Sequence, residues 1–234
     1  MKKNYTDLLA ALNVAGAHPG SFKHTQFMLK TLDINNQSKV LDVGCGTGQT
    51  IAYIAEKFRC TVYGIDHHEE MVLKAKSRIA GIAVPPRVLL GRIEKLPFED
   101  NSFDIILSES VTAFTQIQSA LKEYHRVLKN DGMLIMNELT KIDLLEPEEE
   151  TNFKEFYGFS ELLKEREWKK RIAEAGFKHI NSKRIPTHSE APGEVYSIEK
   201  LDRDYNDLLM NHQLLTEKFA SKIAAYLYIC HRST

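Results

Sequence analysis

The stretch from Lys39 to Thr50, Lys-Val-Leu-Asp-Val-Gly-Cys-Gly-Thr-Gly-Gln-Thr, constrains this chain more than any other. Val40, Leu41 and Val43 make the short apolar run that a parallel strand buried on both faces requires. Glycines at 44, 46 and 48 then break the run, and Ile51, Ile54, Ala55 and Phe58 follow at helical spacing. Strand, glycine-rich turn and helix in this order form the opening unit of a nucleotide-binding α/β sheet. The glycines let the backbone turn sharply and let a ligand approach it without meeting a Cβ. The helix start leaves N–H groups free for a carboxylate or phosphate. The spacing excludes two common ligand types. A dinucleotide turn G-x-G-x-x-G needs glycine where Gln49 stands, and a P-loop needs Gly-Lys-Ser/Thr where the chain has Gly48-Gln49-Thr50.

What remains, Asp42-x-Gly44-x-Gly46-x-Gly48, resembles motif I of the class I S-adenosylmethionine-dependent methyltransferases. Leu96-Pro97-Phe98, Ser102-Phe103-Asp104 and the run Arg126 to Leu134 also read like that family, so the resemblance is strongest over residues 39–140. It implies an α/β, Rossmann-like, seven-stranded and mostly parallel sheet with helices on both faces and an antiparallel last strand beside the sixth. It implies S-adenosylmethionine as cofactor, with Asp42 holding the ammonium and Gly44, Cys45, Gly46 and Gly48 lying along the ligand. Asp66 closes the second strand 22 residues after Gly44, where this architecture places a carboxylate on the ribose hydroxyls. A helix N-cap is the other role open to it. The resemblance brings His67 into the same site and Met71 against the adenine, although a core methionine fits equally. The backbone N–H of Ile93 is expected to meet the adenine ring, and Ser108 to border the ligand at the end of the fourth strand.

One position departs from the family. The residue after Gly91 is commonly an aspartate that accepts from the adenine amino group. Here it is Arg92, which has donors only, so that contact does not carry over and stacking on the ring is what arginine can offer. His67, His68, Glu69 and Glu70 do not read as a metal site, because consecutive helical residues point in different directions.

A methyl carried on a sulfonium is already activated, so holding an acceptor lone pair in line supplies much of the acceleration. A general base is needed only where the acceptor keeps its proton at neutral pH. His18 and Glu109 are the candidates. His18 also suits a turn beside Pro19 and Gly20, and Glu109 also suits a cation-binding or solvent-facing role. The expected acceptor is a small molecule. Lys plus Arg is 31 against 32 for Asp plus Glu, which gives no basic excess for RNA, and Asn/Asp-Pro-Pro-Tyr/Phe is missing after the fourth strand. A non-catalytic cofactor-binding module, an RNA methyltransferase and a nicotinamide oxidoreductase are the rival readings. The missing final glycine counts against the oxidoreductase.

The 234 residues read as one domain, with a helical lid over 1–38, broken at 16–20, and cap segments over 139–160 and 186–222. Phe153, Phe156, Tyr157 and Phe159 in the first cap suit either an acceptor pocket or core packing. Cys45, Cys60 and Cys230 show no C-x-x-C spacing, which suits a reducing cytoplasm, and no run approaches the length of a membrane span. A homodimer is left open.

Overall fold

The computed structural model describes residues 3–13, 18–186 and 202–232. The expected break between the N-terminal helices falls partly outside them, at 14–17, as does 187–201 of the second cap segment. In chain order the elements are α1 (Tyr5–Ala11), α2 (Ser21–Lys30), β1 (Lys39–Val43), α3 (Gln49–Phe58), β2 (Thr61–Asp66) and α4 (Glu69–Ile79). Then come β3 (Arg87–Leu90), β4 (Phe103–Glu109), α5 (Ile117–Val127), β5 (Leu128–Lys141) and α6 (Pro147–Tyr157). α7 (Glu165–Glu174), β6 (Lys178–Arg184), α8 (Arg203–Phe219) and β7 (Ile223–His231) complete the order.

The seven strands form one sheet in the order β3-β2-β1-β4-β5-β7-β6. Strands β1 to β5 pair in parallel, and β7 lies antiparallel between β5 and β6. This is the expected Rossmann-like arrangement. Both faces of the parallel part are covered, which explains why β1 is buried almost throughout rather than on alternate residues. Val40, Val62, Ile105 and Leu107 pack on Met28 and Leu29 of α2, Ile51 and Ile54 of α3, and Val72 and Ala75 of α4. Leu41, Val43, Ile106 and Leu134 point to the opposite face, against Leu121 and Tyr124 of α5 and Trp168 and Ile172 of α7. The two periodicities, two for strands and about 3.6 for helices, therefore meet in two separate hydrophobic layers.

The structure corrects three boundaries. The sequence Lys129 to Gly132 reads as a turn before the fifth strand, but it lies inside β5. Phe103 pairs with Leu128 and Ile105 with Met133, so the extra residues bulge out, with Asp131 at φ 63°. The Lys129 ammonium closes the bulge on the Asp104 carboxylate at 2.8 and 2.9 Å. β5 also extends beyond the expected insertion boundary at 139, because β7 pairs with it as far as Lys141↔Ile223. Finally, β4 runs from Phe103 through Glu109, longer at both ends than its apolar run Ile105 to Leu107.

Of the four cap aromatics, Phe153, Tyr157 and Phe159 are core residues and Phe156 is partly buried. Phe153 stacks edge-on against Phe219 of α8, and Phe159 against Phe114. α1 lies over the same region, its Tyr5 ring 4.9 Å from that of Tyr157 and 5.1 Å from that of His212. A reciprocal Asn4–Asp7 capping box starts α1, which holds so short a helix in place only together with this packing.

Candidate active site

Parallel strands of an open α/β sheet present their carboxyl ends to a crevice where the strand order reverses. Here that point lies between β1 and β4, and a cavity of about 400 Å³ opens above it. Its floor is the glycine turn. The N–H groups of Gly44 and Cys45 both donate to the Ile65 carbonyl, at 2.7 and 3.1 Å, which staples the turn to β2. Gly44, at φ 69°, passes so close to Val111 that a Cβ would lie 2.2 Å from its Cγ2. Gly46, at φ 51°, has nothing within 4 Å of that position, so its bare backbone faces open cavity. Gly48, expected along the ligand, does not line the cavity. Its missing side chain instead lets α3 approach α4, since a Cβ would lie 3.0 Å from that of Ala75.

Asp66 ends β2 with both carboxylate oxygens engaged, one by the Gly46 N–H and one by the His68 N–H, each at 2.9 Å. It thus caps the start of α4 and braces the glycine turn while still bordering the cavity, so the ribose and N-cap readings coexist. His67 lies beside it, Nδ1 3.7 Å from Oδ1, and is largely exposed. Met71 and Ile93 line the cavity on this side and are themselves buried. Cys45 lines it too, and burial raises its thiol pKa well above the ordinary value, which keeps it a neutral wall. Arg92 reaches the rim with its guanidinium three-quarters exposed, 3.5 Å from Glu94. Ser108 is fully buried behind the lining, sharing a 2.8 Å hydrogen bond with the Thr112 hydroxyl. Among the described residues no cluster of histidines, cysteines or carboxylates is arranged to hold a metal.

Asp42 is the telling residue of the floor. It is only 3% exposed, and no donor reaches its carboxylate among the described residues. Burial, then Glu109, then Asp66 push its pKa well up. A buried carboxylate without a donor is costly unless a ligand supplies a cation. An amino-acid ammonium provides one, so this orphan acid and the open backbone at Gly46 fit the expected cofactor.

The other half of the cavity is assembled from distant segments. His18 and Glu109, singled out separately in the sequence, come together with Nδ1 3.7 Å from Oε1 and both side chains almost fully buried. Thr25 of α2 bridges them, its hydroxyl donating to Glu109 at 2.7 Å and lying 3.3 Å from His18 Nε2. His18 Nδ1 also lies 3.4 Å from the Pro19 carbonyl and 3.5 Å from the Asn137 amide nitrogen, so both ring nitrogens are engaged. Thr50 of α3 approaches the second oxygen of Glu109 at 3.5 Å. Leu9, Val111, Phe114, Phe156 and Tyr157 supply apolar wall.

The sequence reading missed Thr25, Glu94, Phe114 and Thr115. Thr25 is a polar residue on the buried side of its helix, a signal that was there to read. Glu94 lies two residues beyond the arginine that departs from the family, and its Oε1 accepts from the Gln116 N–H at 3.3 Å. Phe114 and Thr115 sit in a loop whose course no pattern foretells.

Comparison with known proteins bears on the family and the fold. Residues 41–136 match the Methyltransferase domain family. An uncharacterized methyltransferase of Bacillus subtilis strain 168 is 34% identical, over 97% of this chain and 99% of its own length. The 24-methylenesterol C-methyltransferase 2 of Arabidopsis thaliana is 29% identical over 58% of this chain but only 38% of its own. Among solved structures, Haemonchus contortus phosphoethanolamine N-methyltransferase 2 with S-adenosylmethionine superposes at TM-score 0.82, with 15% identity over 98% of this chain and 57% of that one. At that identity the likeness is one of fold. The chain belongs to the class I S-adenosylmethionine-dependent methyltransferases.

Proposed function

We propose that this protein moves the methyl group of S-adenosylmethionine to a small-molecule acceptor enclosed under α1, the His18–Gly20 turn, α2 and α6. The observation that carries this is one cavity with two unlike halves, a backbone-rich floor beside Asp42 and Asp66 and an apolar wall around the buried His18–Thr25–Glu109 cluster. When bound, the cofactor supplies a methyl already activated by its sulfonium. The protein's own residues then orient and desolvate. Asp42 takes the ammonium, Asp66 the ribose hydroxyls, and the Ile93 backbone the adenine edge. Phe114, Phe156 and Tyr157 exclude water and seat the acceptor body, while His18 and Glu109 hold or remove a proton at the acceptor atom. The sterol relative supports the acceptor class by its name, and the balanced charge of this chain supports it by disfavouring RNA.

The test is transfer of labelled methyl from the donor into fractionated cell extract. Label is expected in the small-metabolite pool. Label in RNA or protein, or cofactor binding with no transfer into any fraction, would overturn the reading.

A further inference from the structure

We propose that the acceptor is a cationic amine with an apolar body, held and deprotonated by Glu109; this rests on the cofactor reading above. Among the described residues the cavity is lined by the carboxylates of Asp42, Asp66, Glu94, Glu109 and Glu155. No lysine lines it among the described residues, and Arg92, its one arginine, points largely into solvent beside Glu94. An acceptor bearing phosphate or carboxylate would find only the rim guanidinium of Arg92 and the imidazoles of His18, His67 and His68 to offset several like charges. The donor brings one ammonium, one carboxylate and one sulfonium, a net charge of one, which leaves the cavity acids in excess.

Glu109 is the acid placed to meet the acceptor rather than the donor. Asp42 lies at the glycine turn, whereas Glu109 is held by Thr25 and His18 of the N-terminal segment, and the wall residues Val111 and Phe114 lie within five positions after it in the chain. Among the described residues its carboxylate accepts one short hydrogen bond, from Thr25, which leaves most of its acceptor capacity open. A protonated amine offers what such a buried anion lacks: a charge-assisted donor. For transfer the amine gives one proton to Glu109. The new N–C bond forms as the donor's C–S bond breaks with its electron pair on sulfur, leaving a methylated ammonium and a neutral thioether. Glu109 then passes its proton to His18 and on to solvent.

The probe is sinefungin, an analogue of the donor in which CH–NH₃⁺ replaces S–CH₃, so that an ammonium sits where the methyl would transfer. S-adenosylhomocysteine shares every other group and serves as reference. Calorimetry on the wild-type chain should find sinefungin bound roughly tenfold tighter. Glu109→Gln, which keeps the acceptor for Thr25, should bring the two ligands to within about twofold. Glu109→Asp serves if that variant does not fold, and should leave an intermediate preference. Equal wild-type affinities would overturn the proposal. So would a Glu109→Gln variant that weakens both ligands alike, since Glu109 would then hold the ammonium the two share. If neither ligand binds the wild-type chain, the cofactor reading fails and this one falls with it.

Discussion

On the β1–β2–β3 side of the cavity a ligand meets backbone, short turns and two strand-end acids, all between Asp42 and Ile93. On the other side it meets side chains drawn from α1, the His18 turn, the end of β4, the loop after it, and α6, with Thr25 of α2 buried behind them. The first half depends on bare backbone at named φ values, so it tolerates almost no change of residue type. The second depends on packing of distant segments, so its chemistry changes by substituting side chains on an unchanged sheet. Substitutions that change the chemistry without disturbing the sheet are therefore expected in the second half, in keeping with the general placement of specificity in loops over a rigid scaffold.

Substitutions can break this comparison, and the largest effect is expected at Gly44. Gly44→Ala adds a Cβ 2.2 Å from Val111 Cγ2 at a left-handed φ. Strain and overpacking together should cost on the order of 2–4 kcal/mol of stability and abolish cofactor binding, read by thermal melting and calorimetry. A variant that melts and binds like wild type would show that the floor is not rigid. Asp66→Ala comes next. It removes an acceptor from two backbone N–H groups as well as from the ligand, and should weaken cofactor binding by about 1.5–3 kcal/mol, or roughly ten- to 150-fold. Unchanged affinity would remove Asp66 from the site.

The third prediction concerns the acceptor half. Glu138 is fully buried on β5, and its Oε1 accepts from the Val111 and Thr112 N–H groups, fixing the loop that walls the cavity. Burial raises its pKa from 4.5 to about 7, against the lowering effect of those hydrogen bonds. Between these two values the unfolded chain has released the proton and the folded chain has not. Stability from this group is therefore complete below pH 4.5 and is lost as pH rises through 7. Glu138→Gln keeps an acceptor for the loop and should flatten that slope, gaining on the order of 1–3 kcal/mol at pH 8 in denaturant titrations. An unaltered pH profile would place the ionisation elsewhere. The smallest effect is expected at the rim. Arg92→Asp should change cofactor affinity by less than about threefold, because an exposed guanidinium contributes little. A larger loss would reveal an arginine contact with the adenine.

The same contrast explains what could be read in advance. The cofactor half is local in sequence: the glycine spacing, Asp66 at its fixed interval and the Leu96-Pro97-Phe98 block each report on a few consecutive residues. Even there Gly48 and Ser108 carried less toward the ligand than their motif suggested, because one serves helix packing and the other a buried hydroxyl pair. The acceptor half is non-local. His18 and Glu109 stood out singly by residue type, but only the fold brings them within 3.7 Å and supplies Thr25 between them. The aromatic cap divided along a helix face, Phe156 and Tyr157 toward the cavity and Phe153 into the core, a split that depends on where α8 and α1 lie.

The placement of β7 also governs how the chain is made. β7 follows every other described element in sequence, yet it sits inside the sheet and is the partner of both β5 and β6. Synthesis runs from the N-terminus, so the glycine turn, β1 to β4 and the parallel side of β5 can assemble while β7 is still unmade. Until it arrives, β5 presents a long unpaired edge and β6 has no neighbour, the kind of exposed strand that recruits other chains. The nascent protein is therefore most prone to association in the interval before β7 emerges, and a ligand that favours the folded glycine-turn floor would reach it before the sheet is closed.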